Sequence, residues 1–149
     1  MTRKLVLAVA GAAATMFVAV SAVQVGSAQT KSQWDGVYTA EQAAAGETVY
    51  AEKCSSCHGA ALGGGEMAPG LAGQEFATNW NDLSLGDLFE RMRISMPQDD
   101  PGSLSRQQNV EVLAFMLARG GYPAGETPLP TQTDALRAFK FLAINPGGN

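Results

Sequence analysis

The only two cysteines and the only histidine of this chain fall within five residues, Cys54-Ser55-Ser56-Cys57-His58. No other stretch restricts the fold as strongly. A C-x-x-C-H pentapeptide puts two thiols one turn of chain apart and an imidazole directly after the second. Both sulfurs then lie along one edge of a planar macrocycle, where they can add to haem vinyl groups as thioethers. The next side chain is carried under the iron as an axial ligand. Two rival chemistries fit less well. A thiol–disulfide couple of C-x-x-C type belongs beside a βαβ pattern, but here an alanine-rich helical stretch precedes the motif and Gly59-Ala60-Ala61-Leu62-Gly63-Gly64-Gly65 follows it. A structural zinc site needs four ligands from Cys or His, and the chain has three such residues in all. The pentapeptide therefore predicts one covalent haem c and a chain folded around it.

Upstream, Met1-Thr2-Arg3-Lys4 is basic, and residues 5–25 are apolar apart from Thr15, Ser21 and Gln24. With Gly26 and Ala28 behind it, this segment has the form of a secretory signal over residues 1–28, cleaved after Ala28. An uncleaved anchor is the alternative, since the run is just long enough to span a bilayer. Export to the periplasm agrees with the motif, because bacterial c-type haem attachment takes place outside the cytoplasm. Cleavage leaves 121 of the 149 residues, enough for one domain. It also removes Arg3 and Lys4, so 8 basic side chains face 14 acidic ones, a formal −6. That balance excludes nucleic acid and anionic membrane surfaces as natural partners.

Residues 29–39 are polar around Trp34 and Tyr38 and read as an irregular N-terminal arm. Thr39 caps a first helix, with Gln42 completing a capping box, and the helix runs to about Lys53. Gly46 and Tyr50 share one side of it, and the glycine permits another helix to approach closely. Glycine content makes residues 59–73 a loop. Ser84-Leu85-Gly86-Asp87 starts a second helix with a stripe of Leu85, Leu88, Phe89 and Met92, ended by Pro97. Ser105-Arg106-Gln107-Gln108 starts a third, with a stripe of Val110, Leu113, Ala114 and Leu117, stopped by Gly120-Gly121. Asp99-Asp100-Pro101-Gly102 is a turn between them. Only residues 139–144 hint at β alternation.

The pentapeptide, Pro69-Gly70-Leu71-Ala72-Gly73, Met96-Pro97 and the third helix occur in the order found in class I cytochromes c, which the chain resembles over most of residues 40–123. The resemblance implies an all-α class I cytochrome c fold, with three main helices and loops wrapped around one covalent haem. It implies that the helix bearing Gly46 and Tyr50 crosses the last helix near Phe115. Trp80, Asp87-Leu88-Phe89, Pro101-Gly102-Ser103-Leu104-Ser105 and Gly121-Tyr122-Pro123-Ala124-Gly125 are similar to segments of cytochromes that accompany pyrroloquinoline-quinone-dependent alcohol dehydrogenases.

A second histidine is lacking, so a sixth iron ligand has to come from another residue type. Thioether sulfur is a soft ligand that raises haem potential. After signal removal the methionines are Met67, Met92, Met96 and Met116. Met92 and Met116 belong to apolar helix stripes and read as core, which leaves Met67 and Met96, each near a proline. The resemblance selects Met96, on the loop before the last helix. It also implies that the Pro69 carbonyl accepts a hydrogen bond from the imidazole, that Leu71 contacts the haem, and that Trp80 is either a core residue or a donor to a propionate.

With both axial positions filled, the expected role is that of a single-electron carrier and not an enzyme. The resemblance makes a quinoprotein dehydrogenase the donor and a terminal oxidase or another cytochrome the acceptor, met by a soluble monomer in brief encounters with no membrane contact. Two alternatives stand beside it. One is a haem subunit held permanently to a dehydrogenase through residues 124–149; the other is an open-site haem enzyme or gas sensor. The apolar residues Leu136, Phe139, Phe141, Leu142 and Ile144 favour an extension that folds back on its own domain.

Overall fold

Three helices of 11 to 14 residues carry the fold of the computed structural model, which describes residues 30–148. The expected signal segment and its cleavage after Ala28 lie outside the described residues. In chain order the helices are α1 (Ala40–Lys53), α2 (Ser55–His58), α3 (Gly73–Trp80), α4 (Leu85–Ser95), α5 (Arg106–Arg119) and α6 (Thr133–Leu136). No strand forms among the described residues, and the architecture is the all-α class I cytochrome c fold.

Short polar side chains decide where the long helices start. The Thr39 hydroxyl accepts from the Gln42 N–H at 3.3 Å, while Ser84 with Asp87 and Ser105 with Gln108 form complete capping boxes. At α1 the expected box is only half made. The Gln42 side chain turns away and pairs with Leu129 instead, donating to its carbonyl at 3.0 Å and accepting from its N–H at 2.7 Å. Helix α4 stops at Ser95, and Met96 takes extended geometry (φ −126°, ψ 151°), as Pro97 requires of the residue before it.

Helices α1 and α5 cross with their backbones in contact. A Cβ built on Gly46 would lie 1.9 Å from the Glu111 carbonyl oxygen, so only glycine fits. One turn on, the Tyr50 and Phe115 rings meet at 5.2 Å. From Val112 to Leu117 every residue of α5 is buried, which makes it the central rod of the core.

Residues 124–148 return over this core without regular structure apart from α6. Leu129, Leu136 and Phe141 are buried, and Ile144 is 81% exposed. Residues 139–141 thread between the N-terminal arm and the α3–α4 connection. Lys140 bonds Lys31 and Gln33 on one side, and Phe141 bonds Asp82 and Leu83 on the other. The alternation suspected there is thus realised as two isolated bridges at Lys140.

Candidate haem-attachment site

Cys54 ends α1 and begins α2, so the pentapeptide is wound as a single turn. Its N–H bonds back to Tyr50 at 2.9 Å, and its carbonyl accepts from Cys57 at 3.2 Å and His58 at 3.0 Å. Cys54 is half-buried against the core and Cys57 is exposed. Burial, with the neighbouring Cys57 second, pushes the Cys54 thiol up to about 11.

The His58 ring is buried, 7% exposed, and its Nδ1 lies 2.8 Å from the Pro69 carbonyl oxygen. A carbonyl can only accept, so the proton sits on Nδ1 and the Nε2 lone pair is left for a metal. The glycine-rich loop brings Pro69 there. Gly64 N–H bonds the His58 carbonyl at 2.9 Å, Gly65 bonds Ala68 at 2.9 Å, and Leu71 bonds Leu62 at 2.8 Å. Behind the motif the Tyr50 hydroxyl donates to the Gly59 carbonyl at 2.7 Å. Burial first, then the Cys54 thiol, push that phenol up to about 12, partly offset by Arg119, so it remains a donor.

An apolar cavity adjoins this loop, lined by Leu71, Phe76, Leu88, Met116, Tyr122 and Phe141 among others. Met116 was expected to be core filler, and the structure puts it both in the core and on this wall. Leu71 also faces the cavity. Trp80 stands half-buried at the end of α3, its ring 6.1 Å from Phe76. Met96 is half-buried just beyond α4, its carbonyl accepting from Gly102 at 3.4 Å, whereas Met67 is 78% exposed on the glycine loop. Two neighbouring thiols and an imidazole with one nitrogen engaged make a donor set that fits haem c.

The family described as cytochrome c oxidase, cbb3-type, subunit III matches residues 41–116, just over half of the chain. The chain belongs to that family. It is a c-type cytochrome with covalently bound haem c, and its chemistry is haem-based electron transfer. The matched region of the cytochrome takes in α1, the pentapeptide, Pro69 and Met96, and it ends within α5. No curated protein matches the cytochrome. Among solved structures it is similar to the crystal structure of the sulfane dehydrogenase SoxCD from Paracoccus pantotrophus, at 21% identity and a TM-score of 0.49. That likeness covers 72% of the cytochrome and 61% of the SoxCD chain, so the cytochrome spans less than two thirds of its length.

Tyr50 is a site neighbour that the sequence places only at the helix crossing. The four-residue spacing from Gly46 to Tyr50 is the signal for it.

Proposed function

We propose that the cytochrome is an exported, periplasmic single-electron carrier of a respiratory chain, with haem joined to Cys54 and Cys57, His58 as proximal ligand and Met96 as distal ligand. The observation that carries this reading is the 2.8 Å contact from His58 Nδ1 to the Pro69 carbonyl, which orients a buried imidazole with Nε2 free. Bound haem supplies exchange of one electron between ferric and ferrous iron. The protein positions the imidazole through the Pro69 carbonyl and leaves Cys57 and its edge at the surface. Met96 suits the distal role because it sits half-buried in extended chain where α4 has ended. Met92 and Met116 are fixed within helices, and Met67 points its bulk to solvent.

The family's description names an oxidase, which supports a terminal oxidase as acceptor. A quinoprotein dehydrogenase as donor rests on the resemblance of Trp80 and Gly121-Tyr122-Pro123-Ala124-Gly125 to its partner cytochromes. The same family description favours a second reading, permanent residence in an oxidase as its haem subunit. Co-elution with an oxidase through gel filtration in detergent would favour that subunit; elution as a monomer favours the carrier.

The ligand set is tested on the purified holoprotein. Colour that resists acid–acetone identifies the thioether links. Met96→Ala is expected to abolish the weak far-red ferric band of iron–thioether bonding, lower the potential and admit carbon monoxide. Met67→Ala is expected to leave all three unchanged. Reversal of these outcomes moves the ligand to Met67, and ready binding of carbon monoxide by the unaltered protein favours the open-site alternative. Stopped-flow mixing with a substrate-reduced quinoprotein alcohol dehydrogenase, at several salt concentrations, tests the donor.

A further inference from the structure

We infer that Gly64 is a positioning residue for the proximal ligand: its bare Cα lets the Pro69 peptide close on the His58 imidazole, and the hydrogen bond so held keeps the haem potential down. The inference rests on His58 being the proximal ligand of the proposed carrier. Gly64 stands between the two partners of that bond. Its N–H donates to the His58 carbonyl at 2.9 Å. Its Cα faces the peptide whose carbonyl oxygen, that of Pro69, lies 2.8 Å from His58 Nδ1.

A Cβ at Gly64 would lie 2.4 Å from the Gly70 nitrogen, 2.6 Å from the Pro69 carbonyl carbon and 2.8 Å from the Ala68 oxygen. All three are backbone atoms, so no side-chain rotation relieves the clash and the Pro69 peptide would have to move off. Gly64 also takes a left-handed φ of +76°, which glycine adopts at no steric cost. Its neighbours differ, since a Cβ on Gly63 or Gly65 meets nothing within 4 Å. The facing side of the contact is close too: a Cβ on Gly70 would lie 3.2 Å from the Gly63 carbonyl oxygen. Backbone bonds from Leu71 to Leu62 at 2.8 Å and from Gly65 to Ala68 at 2.9 Å hold the two segments together on either side. The loop is thus pressed flat at Gly64 and Gly70, and that contact decides how near the Pro69 carbonyl comes to the ring.

A hydrogen bond from Nδ1–H to a carbonyl draws the proton partly away from the ring and makes Nε2 a stronger electron donor. A stronger donor favours ferric over ferrous iron and lowers the potential. Loosening the bond should therefore raise it. A glycine needed only for its backbone shape would change stability and leave the ring proton and the potential where they were.

The test uses holoprotein in the diamagnetic ferrous state, where imidazole protons shifted by the haem ring current identify His58 as a ligand. Gly64→Ala is compared with Gly63→Ala, on the same loop with open space around it. A second control is Gly121→Ala, which imposes a similar left-handed φ (+84°) where a Cβ meets nothing. In Gly64→Ala the Nδ1 proton signal should move upfield and exchange faster with water, and redox titration should show a raised potential. Neither control should move either quantity, although Gly121→Ala should lose stability. If Gly64→Ala yields no holoprotein, Gly70→Ala decides. It presses on the same contact more gently, without a left-handed φ, and should give smaller shifts of the same sign. A mature Gly64→Ala with intact ligation and both readouts unmoved would overturn the inference, as would an unmoved Gly70→Ala in its place or equal shifts in either control. Unaltered protein without ring-current-shifted imidazole signals would instead sink the His58 reading beneath it.

Discussion

The α1–α5 crossing and the returning segment 124–148 close the same core by different physics. In the crossing, the backbone polar groups are satisfied within each helix, and adhesion comes from apolar area: Gly46 against the α5 backbone, and Tyr50 against Phe115. The returning segment contains one four-residue helix, so most of its buried N–H and C=O groups need partners elsewhere. Backbone groups of the N-terminal arm and of the α3–α4 connection supply those of residues 139–141, and two glutamine side chains supply those of Leu129 and Leu142. Gln42 pairs with both backbone groups of Leu129, and Gln33 with both of Leu142, each amide acting as one rung of a strand would. Irregular chain can be buried only where partners for its backbone groups, neighbouring backbone or dedicated side chains, stand ready.

The sharpest break in this comparison is Gly46→Val. The added carbons meet backbone, not a flexible side-chain end, so relief requires the helices to part. A loss on the order of 3–5 kcal/mol is expected, read as a large fall in the denaturant midpoint of the holoprotein. A midpoint within error of the parent would show that the crossing is not close-packed.

Next comes the glutamine pair. Gln42→Ala leaves a buried N–H and a buried C=O of Leu129 without partners and should cost roughly 1–3 kcal/mol. Gln33→Ala should cost less, because the Trp34 indole still donates to the Leu142 carbonyl. The two share no partner, so a double variant should lose the sum of the two. Equal losses, or strong non-additivity, would mean that the segment is held as one unit and not at separate points.

This division also explains what could be read from the chain. The haem motif was legible because its chemistry is complete in five residues, and α1, α4 and α5 because a Ser or Thr stands at each start. Helix α3 was not anticipated: it opens on Gly73 after Ala72, which offers no side-chain cap, and only Phe76 and Trp80, four apart, hinted at it. The Ser32–Asp35 capping box around the short 3-10 turn Gln33–Asp35 carries the same kind of signal on a smaller scale. The glutamine pairings were beyond reach, since the partners lie 87 and 109 residues away along the chain and glutamine looks the same wherever it bonds. Phe141 on the cavity wall is hidden for the same reason. A stripe of apolar residues says what is buried, not what it is buried against.

The smallest expected effect concerns the ionic tie between the core and the returning segment. Glu90 accepts from Arg93 at 2.7 Å and from the Thr133 hydroxyl, while Arg106 reaches Thr133 at 2.7 Å and the Thr131 carbonyl at 2.8 Å. The Arg93 hydrogen bonds first, then Thr133, with smaller help from the charges of Arg93 and Arg106, hold the Glu90 carboxyl down at about 2 against the opposing cost of desolvation. A carboxyl depressed in the folded state stabilises the fold above its unfolded pKa of about 4.3, and that stability is lost as pH falls toward the folded value. The window therefore runs from about pH 5 down to about pH 2. Because the Glu90 side chain is 25% exposed, solvent screens the tie, and its worth is about 0.5–1 kcal/mol, well below what the shift alone implies. Glu90→Gln should flatten the stability–pH curve across that window by this amount, with a smaller difference from the parent in high salt. Asp87 is lowered in the same sense, chiefly by the Ser84 hydroxyl, so a residual slope in the variant is expected. A loss at pH 7 as large as that of Gln42→Ala would reverse the ranking and make charge, not the glutamine rungs, the main hold on the segment.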